Sequence, residues 1–290
     1  MNKFKGLDDE KLRDKVFLYE CFFRYINQYR NNSILDNERF LPQNLIKLYY
    51  HITNNGSFNI LKRSFLEKYI YNESEVEEVH EAWEIKGLKH MYNFAHKYDI
   101  EKMDIYTILE LHKELYKYAP HPEFGGHFRT TDVYLPGSGT NLSEWRRIRY
   151  ELVELKPYVA DLISRGKKLH NTKDFDKLFK YIEECVILNS NLIRIHPFYD
   201  GNGRCLRVFT NMLFELANIP PIYVLKQERL EYREALRKTD VGEYDDLINF
   251  YYYKICDSIA ELQLSVMKKE NHRALKLLTQ GKKNRHSQLK

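Results

Sequence analysis

Apolar residues recur at spacings of three and four along most of this 290-residue chain. That is the period of an amphipathic helix. LRDKVFLYECFFRYINQYR (12–30) and LPQNLIKLYYHI (41–52) predict two helices, parted by the polar stretch NNSILDNERF (31–40). SFLEKYI, ESEVEEVHEAWEIKGLKHMYNFAHKY (73–98) and MDIYTILELHKELYKY (103–118) continue the pattern. The acids that open the second of these favour a helix N-terminus. The pattern changes at APHPEFGGHFRTTDVYLPGSGTNLSE (119–144), which holds three prolines and four glycines. Within it, the β-branched and aromatic HFRTTDVYL predicts a short hairpin. Helices resume at EWRRIRYELVELKPYVADLISRG, at DFDKLFKYIEECVILNSNLIRI (174–195) and at RCLRVFTNMLFELANI (204–219). IPPIYVL stops the last of these, because proline cannot continue a helix. EYREALRKTD and the segment from Tyr244 onward predict the closing helices.

The pattern therefore predicts an all-α protein with one hairpin. No internal repeat and no low-complexity linker divides it. Three parts are expected: a helical extension over 1–70 packed on the core, a core over 71–260, and a C-terminal helix and basic tail over 261–290.

Composition adds limits. Apolar residues at 43% supply a sizeable core. The net charge of +5 is too modest to argue for a nucleic-acid partner, and much of it sits in the tail GKKNRHSQLK. The four cysteines, Cys21, Cys185, Cys205 and Cys256, show no C-x-x-C spacing, which argues against a structural zinc site. The N-terminus lacks the apolar run of a signal peptide, and no window approaches the ~18 apolar residues of a membrane span. A cytoplasmic protein with reduced thiols and no membrane association is the expectation.

The chemistry concentrates in HPFYDGNGRCLR (196–207), where two of only twelve glycines fall within three positions. Gly201 and Gly203 can adopt backbone angles closed to other residues. They precede a helix whose free N–H groups form a ready anion site. Arg204 and Arg207, three apart, share one face of that helix and suit a polyphosphate. Asp200 could hold Mg²⁺, which favours a carboxylate combined with phosphate oxygens. His196 ends the preceding helix and, neutral at pH 7, could accept a proton from a hydroxyl. The stretch matches neither a P-loop nor G-x-G-x-x-G nor an EF-hand. On residue types alone, a glycine-rich cap with chance charges stays open as the alternative.

The same stretch resembles, at every specified position, the signature HPF-x-[DE]-GN-[GK]-R-x-x-R of the Fic (filamentation) family. ILELHKELY (108–116) resembles the helix that precedes the active site there, and GGHFRTTDV (125–133) resembles its β-hairpin flap. The likeness spans about residues 84 to 257 and implies a Fic-type helical domain. It also implies transfer of AMP from ATP to a Tyr, Ser or Thr hydroxyl of a target protein, itself included, with release of pyrophosphate. In that reading His196 is the general base and Asp200 holds Mg²⁺. Gly201, Asn202 and Gly203 form the anion hole, Arg204 takes the β-phosphate and Arg207 the γ-phosphate. Phe198 anchors the core. Arg129, Thr130, Thr131, Asp132 and Val133 would dock the target as an added strand, and Tyr232 would lie near the base. A homo-oligomer is compatible with this reading.

Many relatives carry an inhibitory helix, [ST]-x-x-x-E-[GN], whose Glu pairs with the second signature Arg. No segment here fits in full. NSILDN (Asn32, Asp36, Asn37) is the best N-terminal candidate, SEVEEV (Ser74, Glu78, Val79) a second, and Glu270–Asn271 a third. Competing readings keep the fold and change the chemistry: another nucleotide donor, removal of AMP, or a nearly silent nucleotide-binding module.

Overall fold

The computed structural model describes residues 42–52, 58–78, 81–134, 141–170 and 172–261. The chain divides into two compact units, residues 1–57 with 256–290, and residues 58–255. In the first, helix α1 spans Pro42–Ile52. Its first residue is proline, whose missing N–H costs nothing at that place. Leu45, Ile46, Tyr49 and Tyr50 are buried, and the two tyrosine rings meet edge to face. Residues 256–261 are helical, and Cys256 Sγ lies 3.5 Å from the Pro42 carbonyl.

The second unit holds α2 (Phe58–Glu77), α3 (Ala82–His96), α4 (Thr107–Tyr116), α5 (Ile148–Leu169), α6 (Phe175–Ile195), α7 (Asn202–Leu216), α8 (Arg229–Thr239) and a helix over 245–255, α9. The organising element is α7. Of its fifteen residues, all but Gly203 and Glu215 are buried, so it is covered on every side. A helix buried all round must be enclosed by others, and α3, α4, α5 and α6 pack against it. The polar residues it buries are satisfied within the core. Asn189 on α6 donates to the Leu206 carbonyl at 3.2 Å and to Thr210 at 2.9 Å, and its own oxygen accepts from Tyr251.

Two glycines let the shell close tightly. A Cβ on Gly87 would run into the Leu115 carbonyl, so α3 and α4 meet backbone to backbone there. A Cβ on Gly166 would lie 2.5 Å from the Tyr181 hydroxyl. The start of α6 is fixed by Asp174, whose side chain accepts from Lys177 N at 3.2 Å, the expected work of an N-cap.

The helical class holds: among the described residues there is no strand. The predicted hairpin is therefore a correction for residues 127–134, which run as bends and extended chain. Residues 135–140 of that prediction lie outside the described residues. The physical reason is visible in the hydrogen bonds. Arg129 N donates to the Pro197 carbonyl at 2.9 Å, and Ser143 N to the Arg194 carbonyl at 3.1 Å. The segment pairs with the end of α6 and the turn beyond it rather than with itself. No described helix is long and apolar enough to cross a membrane.

Gly87→Ala should lower the unfolding free energy by about 1–3 kcal/mol, the usual range for overpacking a core. Denaturant unfolding of the two proteins checks this, and an unchanged midpoint would contradict the close crossing of α3 and α4.

Candidate active site

The site is built on the turn between α6 and α7. His196 caps α6 in the left-handed conformation, φ 51° and ψ 61°. Such a residue is uncommon outside glycine and asparagine, and here a buried cation holds it. Arg129 is 1% exposed. Its Nε donates to the His196 carbonyl at 2.7 Å, and its Nη atoms donate to the carbonyls of Thr131 and Ser143. The flap residue Arg129 thus fixes the path of the chain at the histidine.

His196 Nδ1 lies 3.3 Å from the Ile193 carbonyl. A carbonyl only accepts, so Nδ1 carries the proton and Nε2 carries the lone pair. Burial pushes the imidazole pKa down, and the charge of Arg129 adds to this. The ring is therefore neutral near pH 7, with a proton acceptor at Nε2.

Behind it, Phe198 is fully buried and stacks on His112, ring centroids 3.9 Å apart and planes 4° apart. The His112 ring is the second spine of the turn. Gly126 N donates to its Nδ1 at 2.9 Å, and its Nε2–H faces the Asp200 carbonyl at 3.1 Å. Both nitrogens are used only by the neutral ring, and burial drives its pKa down to about 4. Asn202 closes the turn upon itself. Its Oδ1 accepts from Phe198 N at 3.0 Å, and its Nδ2 donates to Phe198 O at 2.8 Å. Of the anion-hole residues, Asn202 therefore acts through its side chain as the brace of the loop.

Gly201 sits at φ 77°, and a Cβ there would lie 2.9 Å from Leu115 Cδ2. Asp200 is at the lip. Tyr116 donates to its Oδ2 at 3.1 Å and Arg204 Nη2 at 2.9 Å. Burial tends to raise its pKa, but Arg204, the Gly201 N–H and Tyr116 outweigh that and hold the carboxyl below its usual range. Arg204 also reaches Glu84 at 3.3 Å. Among the described residues, no group of three or more His, Cys, Asp or Glu side chains could hold a metal unaided. Asp200 fits Mg²⁺ in another way: one ionised, accessible carboxylate leaves the remaining positions to phosphate oxygens.

Arg207 is 3% exposed and meets two carboxylates. Glu73 of α2, fully buried, takes its Nε at 2.9 Å and its Nη2 at 2.6 Å. Glu77, one turn further along α2, takes the same Nη2. Glu77 also covers the start of α7, since a Cβ on Gly203 would lie 2.7 Å from its Oε1. Burial raises the Glu73 pKa, with the neighbouring Glu77 adding to it. Burial acts the same way on Glu77, but Arg207 and Arg204 overcome it and hold that carboxyl ionised. Two carboxylates on one guanidinium hold Arg207 charged.

Sequence reasoning missed both glutamates. In the structure the carboxylate on Arg207 comes one residue before the Glu of SEVEEV: Glu77 takes the Glu place, which leaves Glu73 first and Glu78 last, neither a residue the pattern specifies. Glu78 turns to Arg229 and is exposed, and Ser74 Oγ donates to its own helix at the Tyr71 carbonyl. The usable signal was conformational. The last place of the pattern prefers Gly or Asn because it is left-handed, and Glu78 stands there at φ 56°. Asn32, Asp36, Asn37, Glu270 and Asn271 lie outside the described residues. Tyr232 is 3% exposed; its ring packs on Phe250 and lies beneath the Arg207 guanidinium at 5.9 Å. It is a wall behind the arginine. Thr130 and Thr131 meet the Tyr199 hydroxyl, and the donors from Thr130 and Thr131 draw that phenol down to about 8. Asp132 Oδ1 accepts from Trp145 N at 2.8 Å, and Val133 is half-buried.

Comparison with known proteins places the site within a recognised family match. The model of the Fic/DOC family matches residues 102–214, which include α4, the flap segment, the turn and most of α7. A protein adenylyltransferase Fic from Drosophila grimshawi is 28% identical over 174 residues, covering 58% of this chain and 32% of that protein. One from Nematostella vectensis is 26% identical, covering 58% and 36%. The chain thus spans about a third of the length of these curated relatives. Among solved structures, a fragment of Fic-1 from C. elegans superposes with a TM-score of 0.55 at 18% identity, over 88% of this chain and 71% of that one. A substituted form of the same fragment gives 0.52 at 20%. The likeness to the Fic/DOC family thus covers residues 102–214 of this chain, and the solved structures share its fold.

The neutral His112 has a consequence for stability. Its pKa is near 6.5 when unfolded and about 4 when folded, so the unfolded chain binds the extra proton first. Stability should fall as pH drops below about 6.5 and level off near 4, a loss of up to about 3 kcal/mol. Unfolding curves at pH 7 and pH 4.5 test this, and His112→Gln should flatten the difference between them.

Proposed function

We propose that this chain transfers AMP from ATP to a Tyr, Ser or Thr hydroxyl of a protein, itself included, and that Glu77 restrains the transfer. The observation that carries the reading is the carboxylate of Glu77 on Arg207 and over Gly203. A cradle made of a helix start and arginines is built for an anion, and here an acidic side chain takes that place.

The attacking hydroxyl gives its proton to His196 Nε2 as its oxygen bonds to the α-phosphorus. The bond from that phosphorus to the bridging oxygen breaks, and pyrophosphate leaves. The left-handed turn at His196 and the Ile193 carbonyl aim Nε2 outward. The start of α7, Arg204 and Arg207 would bind the phosphates, and fixed positive groups of this kind stabilise charge as it moves onto the leaving group. Mg²⁺ held by Asp200 would neutralise phosphate charge. The flap residues 129–133 would align the acceptor chain, and Tyr232 would support Arg207 rather than touch the base.

Arg207 can take a γ-phosphate only when Glu77 has moved. Glu73 is a different case. It is fully buried and bidentate, so it remains as the resident counter-ion while the more exposed Glu77 is the movable plug.

With α-labelled ATP and Mg²⁺, Glu77→Gly should raise label transfer by about tenfold or more, the value of one charge-assisted bond. Glu78→Gly should leave transfer unchanged. His196→Ala in the relieved protein should lower it by about 10²–10⁴. Glu73→Ala should instead destabilise the fold by about 3 kcal/mol, the cost of breaking a buried pair. Equal transfer by the wild type and Glu77→Gly would remove the restraint from the account. Absence of labelled protein in every variant, with ATP still bound, would favour a binding module.

A further inference from the structure

Tyr199 occupies the first of three unspecified positions of the signature, yet its side chain joins the catalytic turn to the flap. Thr130 N donates to its hydroxyl at 3.0 Å, and Thr130 Oγ1 lies 2.9 Å away. Thr131 Oγ1 is at 3.4 Å. One residue earlier, Arg129 N donates to the Pro197 carbonyl at 2.9 Å. Two consecutive flap amides are thus committed to the 197–199 turn, whereas a regular strand presents successive amides to opposite edges. The ring itself is 48% exposed, so core packing does not account for its place.

We propose that Tyr199 is a positioning residue for the acceptor polypeptide: by taking the Thr130 N–H it starts the docking edge of the flap at Asp132. It acts through the flap and not on the reacting atoms. This rests on the reading of residues 129–133 as the surface that aligns the acceptor. The N–H groups of Asp132 and Val133 take part in none of the described hydrogen bonds, which leaves them to an incoming chain. With the hydroxyl removed, Thr130 is held only through its neighbour Arg129, and the edge loses its register.

The test uses the full chain with Glu77→Gly, with and without Tyr199→Phe. The acceptor is a second copy carrying His196→Ala. Two quantities are read: amide hydrogen exchange across 127–133, and the KM values for ATP and for the acceptor copy. The expected result is exchange at Thr130 faster by about tenfold, the range of one lost hydrogen bond. Acceptor KM should rise several-fold with ATP KM unchanged. Unaltered exchange at Thr130 would overturn the tether, and an equal rise in ATP KM would overturn the acceptor role. A Glu77→Gly chain that transfers no AMP to any protein would count against the proposed function itself. The exchange measurement would still decide whether Tyr199 holds the flap, and an unchanged melting temperature separates that from misfolding.

Discussion

A guanidinium buried in the wall of α7 has to be neutralised, and the Arg207–Glu73–Glu77 cluster is how this chain does it. Removing one partner of such a pair leaves an uncompensated buried charge, which is strongly destabilising. The ends of the cluster differ in depth. Glu73 is closed off from solvent, while Glu77 retains 27% side-chain exposure at the mouth of the site. Beside them, Glu75 of the same helix pairs with Lys226 at 3.1 Å, and Glu78, just past its end, pairs with Arg229. Each of those pairs has one partner more than half exposed, and pairs open to solvent contribute little. The last turn of α2 is therefore anchored at its buried end and lightly held at the end that covers Gly203.

The flap segment obeys the same logic with a different cation. Arg129 is buried without a buried carboxylate and uses main-chain carbonyls instead. In doing so it holds the left-handed turn at His196. Behind the turn, the neutral His112 joins the Gly126 amide to the Asp200 carbonyl. The candidate base His196, the metal-binding candidate Asp200 and the flap are therefore held by one hydrogen-bonded framework. Gly201 and Gly203 keep clear the space that Leu115 and Glu77 enter.

The helices from Thr107 onward, and the glycine-bearing turn that leads into α7, were legible in the sequence because each rests on local pattern: helical period, proline stops, paired glycines and spaced arginines. The single helix expected over 73–98 instead ends at Glu77 and begins again at Ala82. The flap was not, because HFRTTDVYL has the composition of a strand while its amides bond to a turn about seventy residues away. No local rule anticipates that. The carboxylates on Arg207 were hidden for a related reason. Pattern matching weighs residue identity, and glutamates fill both ends of the motif, at 73 and 78. What that last place requires is a left-handed conformation, which Glu78 adopts at φ 56° while ending the helix. Once that is known, Glu77 is the last helical residue, and its carboxylate meets Arg207.

The central claim is that Glu77 occupies the place of an ATP phosphate. Calorimetric titration of ATP with Mg²⁺ into the wild type, Glu77→Gly and Glu78→Gly chains tests it without reliance on any acceptor. ATP affinity should rise by about tenfold or more in Glu77→Gly alone, as expected when a charge-assisted competitor is removed. Equal affinity in all three proteins would contradict the claim.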